Sequence, residues 1–151
     1  MKIINNVVKL KSNSYIDFID LTKDVEKFVL QSKIKNGQVL VYSTHTTLAI
    51  CINESERGIF ADFKDLLCKL IPKETYYRHN DLSIRTENLV CDPTASDCLN
   101  GHSHCTHFLM RNSEVVPIID GKLMLGIWQR ILAIELDCSR DRTVIIQTMG
   151  V

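Results

Sequence analysis

The period of the apolar residues constrains this chain most: short β-branched runs are interrupted by stretches in which apolar residues recur every three to four positions. Val7, Val8 and Leu10 open a β-favouring stretch, and Tyr15 to Asp20 follows across the turn-like Ser12-Asn13-Ser14, so the economical reading is two strands in a hairpin. The period then changes. Thr22 is placed to cap a helix whose Val25, Phe28 and Val29 share one face, with Asn36-Gly37 as its stop. Gln38 to Tyr42 reads as a buried strand and Leu48 to Ile52 as another. Ser55 is placed to cap a second helix carrying Ile59, Phe60, Phe63, Leu66, Leu67 and Leu70, which Pro72 ends.

From Lys73 to Leu99 the periodicity is lost, and scattered charges with Pro93 predict a long ordered loop, which directs interest to His79 and Asp81. The last third is β again: Glu114 to Ile119, a turn at Asp120-Gly121, Lys122 to Leu125, Trp128 to Leu136, and Thr143 to Met149. Two main helices on a largely antiparallel or mixed sheet would bury these faces, giving one compact α/β (α+β) domain over residues 1–151.

A chain of 151 residues with 45% hydrophobic content has enough apolar surface for one core. Its 18 basic and 18 acidic residues cancel, so no basic field is available to hold a phosphate backbone, and nucleic acid is not an expected partner. The cysteines at 51, 68, 91, 98, 105 and 138 have neither zinc-ribbon nor Cys-x-x-Cys spacing. No uncharged apolar run approaches the ~18 residues a membrane span needs, and asparagines stand where a signal peptide would be apolar. The expected setting is the cytoplasm, with reduced thiols and no membrane partner. No glycine-rich nucleotide loop is present.

Asn100-Gly101-His102-Ser103-His104-Cys105-Thr106-His107 holds three of the chain's five histidines. Neutral imidazole is the commonest side-chain metal ligand and a proton carrier near pH 7, so the group points to zinc or another divalent ion, or to proton transfer. On a helix His104 and His107 share a face; on a strand His102 and His104 do, so the three do not converge. Some are then surface or packing residues, and a ligand from another segment is needed.

His45, between two apolar runs and flanked by Ser43, Thr44, Thr46 and Thr47, is the candidate partner. Those hydroxyls either hold an anion such as phosphate or satisfy their own turn. Glu54 beside Asn53 is a base or an outer partner to a histidine, or favours the helix that follows by ~0.3–1 kcal/mol through its dipole. Asp97 and Asn100 are placed to cap a helix through the histidines. Trp128 and Gln129 either wall a pocket or belong to a core or interface. Cys105 lacks an orienting third group for nucleophilic work.

Four segments resemble one known family across nearly the whole chain: Thr44-His45-Thr46-Thr47 with Asn53-Glu54, Tyr77-Arg78-His79-Asn80-Asp81, Asn100 to His104, and Val116 to Gln129. This is the YjbQ-like family of small bacterial and archaeal proteins, often described as secondary thiamine-phosphate synthases. The resemblance implies a compact α/β homotrimer, a histidine site able to hold a metal, and a weak activity joining a pyrimidine pyrophosphate to a thiazole phosphate.

Carried over by motif, His45, His104 and His79 are the expected ligands of a divalent ion, zinc first. Glu54, Asp97 and His104 are the candidate catalytic groups. Thr46, Thr47, Asn53, Asn100, Arg78 and Gln129 are the candidate contacts to a small phosphate-containing substrate, with Arg78 or Arg130 and the metal steadying its anion. The alternative is a non-catalytic module that binds a small phosphorylated metabolite through the histidines.

Overall fold

The computed structural model describes residues 1–90 and 97–151, so Cys91 and Pro93 lie outside the described residues. In chain order the elements are β1 (Lys2–Lys11), β2 (Asp17–Asp20), α1 (Thr22–Ser32), β3 (Gly37–Ser43), β4 (Leu48–Asn53) and α2 (Arg57–Leu70), followed by a 3-10 turn at Arg78–Asn80. Then come α3 (Gly101–Phe108), β5 (Ser113–Ile119), β6 (Lys122–Leu123), β7 (Arg130–Glu135) and β8 (Asp141–Gly150). The strands form two sheets, one ordered β1-β8-β3-β5-β6 and one ordered β2-β7-β4, with every pairing antiparallel. The α+β class read from the sequence is the class observed.

The opening segments do not form the expected hairpin. β1 pairs along its whole length with β8, from Lys2 opposite Gly150 to Lys11 opposite Asp141, whereas β2 pairs with β7 in the other sheet. Ser12 makes the crossing: its N–H donates to the Arg140 carbonyl at 3.0 Å and its hydroxyl donates to Glu135 at 2.8 Å. A ten-residue ladder with matched alternation outweighs the shorter local pairing that proximity in sequence would favour.

The main core lies between the sheets. Val39, Val41, Val116, Ile118, Val144 and Ile146 come from one sheet, Leu48, Ile50, Ile131 and Ala133 from the other, and Val25, Phe28 and Val29 from α1. The opposite face of the three-stranded sheet carries Ala49, Ile134 and Leu136 in a second cluster with Phe18, Cys51, Phe63 and Met110. β7 is therefore covered on both faces, which explains its unbroken apolar run from Ile131 to Ile134.

Helix starts are shifted from the expected caps by one residue or two. The Asp20 carboxylate accepts the Thr22 N–H at 2.9 Å, and the Thr22 hydroxyl instead accepts the Ile131 N–H at 2.9 Å, tying α1 to β7. Glu56, not Ser55, caps α2 by accepting the N–H groups of Gly58 and Ile59 at 2.6 and 2.9 Å. Each oxygen of the glutamate carboxylate takes one of the orphan donors. Trp128 precedes β7 in a turn and is 68% exposed, so it walls no pocket here.

Candidate functional site

At the C-terminal end of β7, Glu135 is fully buried and forms an ion pair with Arg142 of β8. Arg142 also donates to the Thr47 hydroxyl at 2.9 Å, so the turn before β4 is tied to the pair. Beside it, the Nε2 atom of His45 accepts the Thr143 N–H at 2.8 Å. A neutral ring that accepts at Nε2 carries its proton on Nδ1, leaving no free lone pair. His45 is held below the ordinary histidine pKa, first by burial and then by the Arg142 guanidinium, against the opposing pull of Glu135. For His45 to ligate a metal, its bond to Thr143 has to break. Thr46 is exposed.

The histidine-rich segment is helical, as α3, and its first turn is fixed from outside. Asn80 Oδ1 accepts the Gly101 N–H at 2.8 Å, and a Cβ on Gly101 would stand 2.6 Å from the Cβ of Tyr77. This close approach sets the Arg78–Asn80 turn on α3 and brings the rings of His79 and His104 to 4.6 Å between centroids, tilted by 55°. Arg85 Nη1 lies 3.4 Å from His79 Nε2 and donates to the His79 carbonyl at 3.2 Å.

Asp97 serves this arrangement indirectly, by pairing with Arg85 at 3.5 Å and accepting the Val90 N–H at 3.1 Å. It does not cap α3. Asn100 occupies the cap position but turns its amide to donate to Asp137 at 2.9 Å. Asp137 also pairs with Arg140 at 2.7 Å, so Asn100 is part of a buried polar link and is not a free contact for substrate. Burial lowers the pKa of His104, His79 lowers it further, and Asp137 opposes them. The result is a group of imidazoles beside a guanidinium, able to hydrogen-bond an oxyanion or to offer lone pairs.

The other two histidines of α3 pack. His102 is 2% exposed, stands edge-on to Tyr15 at 5.3 Å, and has its Nε2 atom 3.2 Å from the Ser103 hydroxyl. Among the described residues, His102 Nδ1 and His107 Nε2 are buried without a hydrogen-bond partner. Burial lowers both pKa values, and backbone at Leu48 opposes this for His107.

The remaining expected residues fall elsewhere. Leu48 stands opposite Glu135 and Asn53 opposite Arg130, so Asn53 and Glu54 lie at the other end of the β4–β7 pair from His45 and Thr47. Five strand residues span roughly 17 Å. Gln129 Oε1 accepts the Gly126 N–H at 2.8 Å in the turn before β7, and Arg130 donates to the carbonyls of Ile127 and Gln129. Arg78 is exposed.

Among the described residues no three His, Cys, Asp or Glu side chains are gathered as a metal shell. His79 and His104 would supply two ligands where catalytic zinc commonly has three from protein.

Sequence reasoning missed Arg85, Asp137 and the Glu135–Arg142 pair. Glu135 was detectable as a carboxylate at the end of an apolar strand, a position that demands a buried partner. Arg85 sits in a segment without periodicity, where no local signal marks it.

A protein-family model described as "UPF0047 protein YjbQ-like" matches residues 6–151. A UPF0047 protein of Archaeoglobus fulgidus is 39% identical over 140 residues, covering 93% of this chain and 97% of that one. The UPF0047 protein YugU of Bacillus subtilis is 31% identical, covering 95% and 97%. Among solved structures, a YbjQ-like protein of unknown function from Sulfolobus solfataricus superposes with a TM-score of 0.86 at 28% identity, covering 99% of both chains. A YjbQ/UPF0047 protein from Clostridium acetobutylicum gives 0.81 at 32%, covering 95% and 99%. With nearly its full length matched in sequence and in fold, this chain belongs to the UPF0047 YjbQ-like family.

Proposed function

We propose that the protein binds a small phosphate-bearing molecule at the His79–His104 pair. The observation that carries this is the 4.6 Å ring separation with Arg85 3.4 Å from His79 Nε2, which gathers three nitrogen-rich groups on one spot. Imidazoles give directional donors to a phosphate oxyanion, and Arg85, held in place by Asp97 and by the carbonyls of His79, Glu87 and Asn88, adds a guanidinium beside them. The test is thermal stabilisation by inorganic phosphate in the unaltered chain, in His104→Ala and in Arg85→Ala. A rise confined to the unaltered chain is the expected result. An equal rise in all three would overturn the reading.

The same pairing favours a second reading, in which His79 and His104 hold a divalent ion, zinc first, whose shell the ligand's oxygens complete. Elemental analysis of untagged protein tests it: metal present in the unaltered chain and lost in His104→Ala supports it, and retention in that variant overturns it. The transferase activity implied by the family resemblance needs help for a departing pyrophosphate, which Arg85 and the imidazoles would supply by hydrogen bonding. Direct assay with the pyrimidine pyrophosphate and thiazole phosphate decides it.

Assembly into a homotrimer is part of the proposal. Its support is the outer face of the five-stranded sheet, where Ile3, Val7, Tyr42, Val115 and Ile119 are 37–57% exposed at positions that a solvated sheet face ordinarily gives to polar residues. Sedimentation equilibrium measures the state. Among the described residues no helix is long and apolar enough to cross a membrane.

A further inference from the structure

A separate cavity of about 320 Å³ opens between α2 and the outer face of the three-stranded sheet. Its origin is legible in side-chain size. Phe60 and Phe63 of α2 line it with Cys51 of β4, a small residue that leaves space where helix and sheet meet. Phe18 stacks on Phe60 with centroids 4.1 Å apart and planes within 9°, and Phe63 meets Phe18 edge-on at 6.2 Å. Leu132 and Ile134 form the floor. The volume is at the small end of the ~300–1,000 Å³ range of ligand pockets, room for two or three aromatic rings.

The mouth sets the charge. Asn53, Glu54, Arg111 and Glu114 line it, and the guanidinium of Arg111 is already paired with Glu114 at 3.6 Å, with its side chain 77% exposed. Glu54 is exposed and leaves a carboxylate in excess. Cys51 in the wall is pushed up to about 11 by burial and by Glu114, so its thiol stays neutral. An anion would meet repulsion at the mouth, and a donor N–H would meet an acceptor.

We propose that this cavity binds a small uncharged or cationic aromatic molecule, its ring continuing the Phe18–Phe60 stack and an N–H turned to Glu54. Its lining shares no residue with the His79–His104 pair, so the two sites stand or fall independently. Aromatic stacking and the expulsion of water from an apolar pocket supply the affinity, and the carboxylate supplies the selection against anions.

The probe is N-phenyl-1-naphthylamine, whose fluorescence rises in apolar surroundings, compared with its sulfonated relative 1-anilinonaphthalene-8-sulfonate. The unaltered chain is expected to bind the neutral amine with one-to-one stoichiometry and at least tenfold more tightly than the sulfonate. Cys51→Phe, which fills the cavity, should lose at least tenfold in amine affinity. Glu54→Lys, an exposed change that leaves packing alone, should narrow or reverse the preference over the sulfonate. Preference for the sulfonate in the unaltered chain, or a Glu54→Lys variant with unchanged preference, would overturn the proposal. So would amine binding that appears only on dilution, as copies dissociate, since the cavity would then be a contact between chains.

Discussion

Asn80 and Gly101 are joined by a 2.8 Å hydrogen bond from the glycine N–H to the asparagine Oδ1, and this contact holds the 3-10 turn on the first turn of α3. Everything proposed for the histidine pair depends on it, because His79 lies within that turn and His104 one helical turn along α3. The glycine is needed for closeness and not for an unusual backbone angle: its missing Cβ is what admits Tyr77.

Replacing Gly101 by alanine sets two effects against each other. Alanine favours a helix by ~1 kcal/mol over glycine, while overpacking typically costs ~1–3 kcal/mol. With a Tyr77 atom 2.6 Å from the new methyl, the steric term wins. Gly101→Ala should lower stability by about 1–2 kcal/mol in urea unfolding and weaken phosphate-dependent stabilisation, and it should cost less in a Tyr77→Gly background, where the opposing Cβ at 2.6 Å is gone. A more stable Gly101→Ala protein would show that Tyr77 moves aside freely.

Proton linkage separates an anion from a metal at the His79–His104 pair. His104 is kept neutral by burial and by its neighbour, so an arriving phosphate, by favouring the charged ring, should draw in a proton. A metal needs the lone pair, so its binding takes up no proton and releases any already there. Calorimetry of phosphate binding near pH 6.5, in two buffers of different ionisation enthalpy, should give fractional proton uptake that disappears in His104→Ala. Zinc titration in the same buffers should give release or no exchange.

The strands were legible where alternation and β-branching were strong: β3 and β4 lie within a residue of their expected bounds, and the Asp120-Gly121 turn joins β5 to β6. Asp120 and Gly121 both have positive φ, as a two-residue hairpin turn of that type requires. Pairing was not legible, because β1 and β8 meet across the whole length of the chain and no local residue announces a partner so distant. His79 and His104 were both singled out, yet their contact depends on Asn80 and Tyr77 meeting Gly101, a tertiary fit with no period. Glu54 and Asn53 were grouped with the histidines by motif, and strand register separates them within one chain.

The Glu135–Arg142 pair is buried at 0% and 6% side-chain exposure, with the Ser12 and Thr47 hydroxyls and the Asp137 N–H completing its hydrogen bonds. Removing one member of a buried pair strands the other and costs ~3–5 kcal/mol, more than the pair itself contributes. Glu135→Gln should therefore be strongly destabilising in urea unfolding. Adding Arg142→Met to it should recover part of the loss, since neither charge is then buried alone. A double variant as unstable as the two single losses combined would mean that the pair's hydrogen bonds, and not stranded charge, set the cost.

Acid should unfold this protein earlier than its carboxylates alone require. His45, His102, His104 and His107 all have folded pKa values below the ordinary 6.5, each with burial as the leading cause. An unfolded chain binds protons at these rings before the folded one does, so stability is complete above pH 6.5 and falls as pH drops through the folded values. Each ring that stays neutral while its unfolded counterpart is charged contributes a slope of at most ~1.4 kcal/mol per pH unit. The steepest single contribution should come from His102, the most enclosed of the four. Urea midpoints should be flat from pH 8 to 7 and decline below 6.5, with a shallower decline in His102→Gln. A midpoint flat down to pH 5 would mean that the rings are as free to charge in the fold as in water.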